Sequence, residues 1–327
     1  MFPLSALCLT SKASQIADTF ISHQHSLMQR FLKKIITTIT MKSSLIEKLG
    51  VFLLKDGFTI KSLTRTCFDL LARKQDKILL IKVLEDANAV TKEYTDAMNT
   101  VSSYIGAVPV IIAEKAGNKL ENNVLYTRFN LYTLNFTTFI NSIRNKFPFV
   151  KRTQAGFTAS IAGNKLRKKR EEKGYSLNYL SRKVGVTSRM IDKYEKGDSE
   201  ITLNKAMKIY DVFGHQVFNE INIFSGNNEI ESKYKSDFSK KYIDLGFEAA
   251  DTNKTPFDII AKKNDELILT KVGDKERPDF SSLSKLLDAD NLVIFKKKKP
   301  KNVPAVTKEE FLEFEKANQL IKFLKEF

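Results

Sequence analysis

Two stretches of the chain repeat one pattern of apolar and polar positions. From Gly57 the sequence runs GFTIKSLTRTCFDLLARKQDKILLIKV, and from Gly246 it runs GFEAADTNKTPFDIIAKKNDELILTKV. The offset is 189 residues throughout, without a gap, and 11 of 27 positions are identical. The first copy follows an amphipathic stretch, MKSSLIEKLGVFLLKDGF from Met41, whose period predicts a helix running into the Gly57 turn. Glycine at that point suits the left-handed residue that closes a helix. Two apolar, β-rich runs come next, FDLLA and ILLIKV in the first copy, around a polar RKQDK. KKNDE holds the same place in the second copy, and both predict a hairpin. A polar helical stretch and an apolar strand follow, AVPVIIAEK at 107–115 and NLVIFKKKK at 291–299. Each unit closes with a short apolar segment and a helix, read in FTTFINSIRNKF and in KEEFLEFEKANQLIKFLKEF. The order helix, hairpin, helix, strand, helix predicts an α/β sandwich with a mixed sheet, present twice.

Between the copies the period is that of helices. NKLRKKREEKG stops at Gly174, Ser176 caps LNYLSRKV, Thr187 caps SRMIDKYEK, and TLNKAMKIYDVFG follows. Leu166, Leu177, Leu180, Val184, Val186, Ile191, Tyr194, Leu203, Ala206 and Ile209 are the expected small core. The flanking KRTQAGFTAS and SGNNEIESKYKS have the composition of linkers, and the insert is expected to be helical, not stranded. The expected fold class is therefore α/β plus all-α. Its parts are an N-terminal extension at 1–40, α/β domains at 41–150 and 233–327, a helical domain at 151–224 and a linker at 225–232.

Composition narrows the chemistry. The 327 residues include 54 Lys+Arg against 38 Asp+Glu, a net +16 that favours polyanionic partners, nucleic acid first among them. Within 161–210 the balance is 13 cations against 6 anions, or +7, so basic charge gathers on the helical insert. Two cysteines, Cys8 and Cys67, give no disulfide or zinc framework and suit a reducing cytoplasm. Cys67 is replaced by Pro256 in the other copy, which points to packing rather than nucleophilic chemistry. No phosphate-binding loop, hydrolase elbow or zinc-protease motif is present. No cofactor, metal, membrane or small-molecule ligand is expected.

The segment from Ile161 to Gly214 resembles the phage repressor/Cro class of helix-turn-helix, through Arg170 and Gly174 of REEKG and through SLNYLSRKVGVTSRMIDKYEKG. The resemblance implies that the helix from Thr187 enters the major groove of duplex DNA. Ser188, Arg189 and Lys193 then map onto base-reading positions, and Arg189 suits guanine, to which a guanidinium donates twice. Lys165, Lys168, Lys169, Arg182, Lys183 and the helix start at Thr187 are the implied phosphate contacts. Arg170 and Glu195 resemble that class's buried ion pair and are read as structural. The class often carries Gln after the second helix's N-cap; Leu177 stands there instead.

The α/β copies resemble restriction-endonuclease and Holliday-junction resolvase domains. Those use an Asp, then Glu-x-Lys on the next strand, with two carboxylates holding Mg²⁺. Asp69 and Lys82 stand 13 residues apart, as do Asp258 and Lys271, but the second acid is replaced by Leu80 and by Leu269. A leucine cannot ligate a hard cation. Glu47 is a relocated candidate whose counterpart is Ser236, and Asp76 and Asp265 lie in the hairpin turns. The arrangement as a whole resembles an archaeal family of helix-turn-helix transcriptional regulators. The expectation is a non-enzymatic, sequence-specific regulator of transcription that binds double-stranded DNA as a homodimer. Its nuclease-like copies would pair within a chain or between chains. The rival readings are a metal-dependent, structure-selective nuclease and a DNA-bound adaptor for another protein.

Overall fold

The computed structural model describes residues 42–153, 156–197, 200–225, 235–274 and 279–327. The expected extension at 1–40, and the expected linker beyond Ser225, lie outside the described residues. Residues 42–48 are helical and belong to a separate unit; residues 49–327 form one compact unit.

Within that unit the first α/β copy comprises α1 (49–55), β1 (Thr59–Ser62), β2 (Leu70–Lys74), β3 (Lys77–Asp86), α2 (Lys92–Ile105), β4 (Val108–Ala116), β5 (Asn118–Lys119), β6 (Val124–Arg128), β7 (Leu131–Leu134) and α3 (Phe136–Ile143). The central segment holds β8 (Val150–Thr153), β9 (Gly156–Ser160), α4 (Gly163–Glu172), α5 (Leu177–Val184), α6 (Ser188–Lys196), β10 (Glu200–Thr202) and α7 (Leu203–Phe213). The second copy comprises α8 (Asp237–Asp244), β11 (Glu248–Asp251), β12 (Ile259–Lys263), β13 (Glu266–Val272), α9 (Asp279–Leu287), β14 (Asp290–Ile294), β15 (Ala305–Val306), α10 (Lys308–Glu313) and α11 (Ala317–Lys325).

The repeat in sequence is a repeat in structure. In each copy three antiparallel strands are joined by two parallel ones: β1-β2-β3-β4-β7 in the first, β11-β12-β13-β14-β15 in the second. Both helix ends close in one way. Gly57 and Gly246 adopt φ of +84° and +83°, and the next residue's N–H reaches back to Leu53 O at 2.9 Å and to Tyr242 O at 2.9 Å. Left-handed Arg65 matches left-handed Lys254, and Gln75 matches Asn264 in the hairpin turn. Leu71 pairs with Leu80 across the first hairpin, and Ile260 with Leu269 across the second.

One face of the second sheet packs under α8, α10 and α11, where Tyr242, Phe311 and Leu320 are fully buried. The other face joins the first copy. Cys67, Phe68, Leu71 and Leu80 from one copy and Phe257, Ile260, Leu269 and Phe280 from the other share a single core. Apolar burial at ~25 cal/mol per Å² makes such a face the main cohesive term between the copies. Polar links border it: Cys67 N–H donates to Lys254 O at 2.5 Å, Arg73 Nη1 meets the Asp288 carboxylate at 2.5 Å, and Lys61 meets Asp279 at 2.9 Å. The copies therefore pair within the chain.

Three readings change. KRTQAGFTAS is not a linker but most of a hairpin: β8 pairs with β9, setting Val150 beside Ala159, while β10 adds on through Ile201 beside Ala159. The insert is therefore stranded as well as helical. Polarity concealed this, because only one face of so short a hairpin needs apolar residues. β8 also runs parallel to β6, so the first sheet continues into the insert as ten strands among the described residues. Last, the C-terminal helix is two helices, α10 and α11. Phe314 leaves the helical path to meet Phe311 edge-on and Phe323 at a tilt, and Gln319 Oε1 accepts the Glu315 and Lys316 N–H groups. Among the described residues no helix is long and apolar enough to cross a membrane.

Candidate nucleic-acid interface

The helical part of the insert is built from short capped helices. Ser176 Oγ accepts Tyr179 N–H at 3.1 Å and starts α5; Thr187 Oγ1 accepts Met190 N–H at 3.3 Å and starts α6. Gly185, at φ +75°, closes α5 by donating to Ser181 O at 2.8 Å, and Val186 N–H adds a second bond to that carbonyl. The turn between α5 and α6 is therefore tight, with each end held by its own backbone. Leu166, Leu180, Val184, Ile191, Tyr194, Ala206 and Ile209 are buried in one core, as the period predicted. Leu177 and Val186 only flank it, and Leu203 is half-buried. β9, β10 and the following segment supply Ala159, Ile161, Ile201 and Phe218, which helix periodicity had no means of finding. Gly163 is buried where α4 begins, and a Cβ there would collide with the Glu195 carbonyl oxygen.

Arg170 and Glu195 form a forked pair: Nε to Oε1 at 2.6 Å and Nη2 to Oε2 at 2.9 Å, with Nη1 donating to Tyr175 O at 2.9 Å. Their side chains are 11% and 6% exposed. The pair locks α4 to the buried face of α6, which also carries Ile191 and Tyr194. The opposite face of α6 presents Arg189 and Lys193, both exposed, one helical turn apart. Neither forms an ion pair with any described residue, whereas Asp192 beside them is taken by Lys196 at 2.7 Å. Ser188 differs from its neighbours. Its half-buried hydroxyl donates to Asn178 Oδ1 and lies 3.3 Å from Ser181 Oγ, tying α6 to α5.

Among the flanking cations Lys165, Lys168, Arg182 and Lys183 are exposed, as is Thr187. Lys169 is half-buried and paired with Glu172 at 3.1 Å. Lys183 Nζ sits 5.3 Å from the centre of the Tyr179 ring, which is 45% exposed and packs 4.6 Å from Tyr175. This cation-aromatic group on α5 escaped sequence reasoning, although Tyr175, Tyr179 and Lys183 follow one another at four-residue spacing.

The nuclease-like positions lie elsewhere. Asp69 and Lys82 are 5% and 7% exposed. Asp69 Oδ2 accepts Val83 N–H at 2.8 Å and stands 3.5 Å from Lys82 Nζ, which donates to Thr66 O at 2.9 Å. In the second copy Asp258 Oδ2 accepts Val272 N–H at 2.7 Å and Lys271 Nζ at 2.5 Å. Each Asp thus pairs with its Lys across the hairpin. Leu80 and Leu269, at the second acid's place, are fully buried in the core between the copies. A metal would need oxygen ligands there, and among the described residues no three His, Cys, Asp or Glu side chains gather into a site for one. Burial pushes the neighbouring Cys67 thiol up to about 12, so it remains a protonated packing group.

Comparison with known proteins follows this division. Residues 42–148 match the PD-(D/E)XK superfamily domain, and residues 166–214 match the helix-turn-helix model. A Methanocaldococcus jannaschii protein named "Putative HTH-type transcriptional regulatory protein" is 30% identical over 287 residues, 81% of this chain and 90% of that relative. The chain belongs to this archaeal family. A member from Archaeoglobus fulgidus is 29% identical over 306 residues, covering 88% of this chain and 98% of its own. One from Pyrococcus furiosus is 25% identical over 281 residues, covering 80% and 89%. The two domain models thus fall on the first α/β copy and on the helices that follow it.

Proposed function

We propose that the chain is a transcription regulator that reads duplex DNA with α6, while its α/β copies serve as a scaffold that has lost nuclease chemistry. The observation that carries this reading is the division of α6. Ile191, Tyr194 and Glu195 fasten one side to the core, and Arg189 and Lys193 stand exposed on the other, with no ion pair among the described residues. A helix so placed enters the major groove with its first residues at base edges. Arg189 takes the sharpest role, two donated bonds to one guanine, and Lys193 the next position along the groove. Ser188 reads a base only by giving up its bond to Asn178. Lys165, Lys168, Arg182 and Lys183, with the N–H groups at Thr187, hold phosphates on either side. Lys169 joins them once released from Glu172. The names of the relatives, which speak of transcriptional regulation, support the same reading.

In functional terms the reader is residues 151–224, and residues 41–150 and 233–327 are the scaffold. Leu80 and Leu269 support the scaffold role, since each fills the shared core where a metal-binding acid would stand. The deciding experiment is selection of bound duplexes from random sequence, followed by binding across salt. Affinity is expected to fall steeply with salt as phosphate contacts are lost. Arg189→Ala is expected to cost about 1–3 kcal/mol and to relax the preference at one position. An unchanged preference in that variant would remove α6 from the reading role. The nuclease reading rests on the retained Asp69 and Lys82. Cutting of branched or linear DNA with Mg²⁺ or Mn²⁺, abolished by Asp69→Asn, would establish it instead. An adaptor would show itself by capturing a protein partner in the absence of nucleic acid.

A further inference from the structure

We infer that one chain by itself is the DNA-binding unit, and that it reads a single asymmetric element rather than the inverted repeat served by a two-headed repressor. The inference rests on the regulator reading above. Symmetric repressors pair two protomers so that two recognition helices fall about one DNA turn, ~34 Å, apart. Here the pairing of like domains has already occurred inside the polypeptide. The equivalences run residue by residue at an offset of 189: Thr66 with Thr255, Asp69 with Asp258, Leu80 with Leu269, Lys82 with Lys271. The faces that bear Leu80 and Leu269 are packed into one core, so neither is open to a second chain. Linkage reinforces this: two domains of one chain meet at an effective concentration far above that of a regulator in solution.

The internal pair is also unequal in a way that admits only one reader. In the first copy the chain between β4 and β7 makes β5 and β6, and β6 accepts β8 of the reader through Val124 beside Val150 and Leu125 beside Lys151. In the second copy the chain between β14 and β15 makes no strand. It is a loop that exposes Lys296, Lys297, Lys298 and Lys299, and its backbone is held by Asp274, whose Oδ1 accepts Lys296 N–H at 2.7 Å and Lys297 N–H at 3.1 Å. The surface equivalent to the reader's dock is therefore absent, and the sequence encodes only one α4–α7 reader. A scaffold of two copies carries one recognition helix.

The test uses the full chain and duplexes that it selects from a random pool. The expected consensus has no internal dyad. A duplex of ~20 base pairs bearing one selected element is expected to be saturated by one equivalent of protein. Sedimentation of the free protein at micromolar concentration should give a single 37.3 kDa species. A duplex with two inverted elements should take up two chains independently, and scrambling one element should leave affinity for the other within about 2-fold. A selected inverted repeat, filled cooperatively by two chains and losing more than about 10-fold when one half is scrambled, would overturn the inference and leave the regulator reading intact. Failure to select any sequence would overturn the regulator reading, and this inference with it.

Discussion

The two α/β copies share a fold and a strand order, yet they have diverged at three equivalent places, and each difference has a physical reason. At the hairpin the Asp69–Lys82 side chains are 7% and 9% exposed, whereas Asp258 and Lys271 are 40% and 14% exposed. The first pair is surrounded: the Tyr94 ring centre lies 4.9 Å from Lys82 Nζ. The second opens partly to water. Between the last two parallel strands, one copy grew a docking strand and the other a lysine loop. At the sheet's outer edge Asp251 in β11 anchors Ser236, the N-cap of α8, while Ser62 holds the equivalent place in β1. The framework is present twice, and burial in the shared core did not by itself keep equivalent positions alike. Leu80 and Leu269 are apolar in both copies, whereas the places of Leu63 and Ala250 in that core are held in the other copy by Thr252 and Lys61.

The largest expected effect tests that core. Leu80→Glu and Leu269→Glu each restore the acid of a nuclease motif, but into an apolar interior. Each is expected to cost about 4 kcal/mol of stability in urea unfolding, since a buried carboxylate without a dedicated partner is strongly penalised. Normal stability together with new Mg²⁺-dependent cutting would show that the position faces a usable site. The two hairpin pairs come next. Asp69→Ala leaves Lys82 buried beside a lost counter-charge and is expected to cost about 3 kcal/mol. Asp258→Ala removes a partly solvated partner and is expected to cost less, about 1 kcal/mol. Equal costs in the two copies would refute the contrast drawn from exposure.

The smallest effect concerns acid. Burial of Asp251 works against its charged form, but bonds from the Ser236 and Ser239 hydroxyls and from the Ser236 and Lys235 N–H groups outweigh it and hold the carboxyl below its ordinary value. A carboxylate with a depressed folded pKa contributes stability that is fully present above the unfolded value of ~4 and is lost as pH falls through the folded one. Stability measured between pH 6 and pH 2 (the span around these carboxylate values) should therefore decline less steeply in Asp251→Asn than in the unaltered chain. Ser62, which does not titrate, offers the first copy no such dependence. A Ser62→Ala variant should keep the unaltered slope.

The amino-acid sequence alone determined what depends on neighbours along the chain. The duplicated hairpins, the Gly57 and Gly246 helix ends, the caps at Ser176 and Thr187, and the buried stripe from Leu166 to Ile209 all arise from local rules of period, cap and turn. Those rules act over a few residues and so leave a mark in the order of residues. The Arg170–Glu195 pair was legible only because the segment resembles a known class, since 25 residues separate its members. The hairpin of β8 and β9 left no such mark: Lys151, Arg152 and Thr158 look like linker until β6 lies beside them. The bond that ties Ser188 to Asn178 was equally invisible, since its two members lie on different helices. The choice between pairing inside the chain and pairing across chains belonged to tertiary structure alone. That choice depends on which face of each sheet is left uncovered by its own helices, and only the packed molecule shows Leu80 and Leu269 lying on the covered side of the same core.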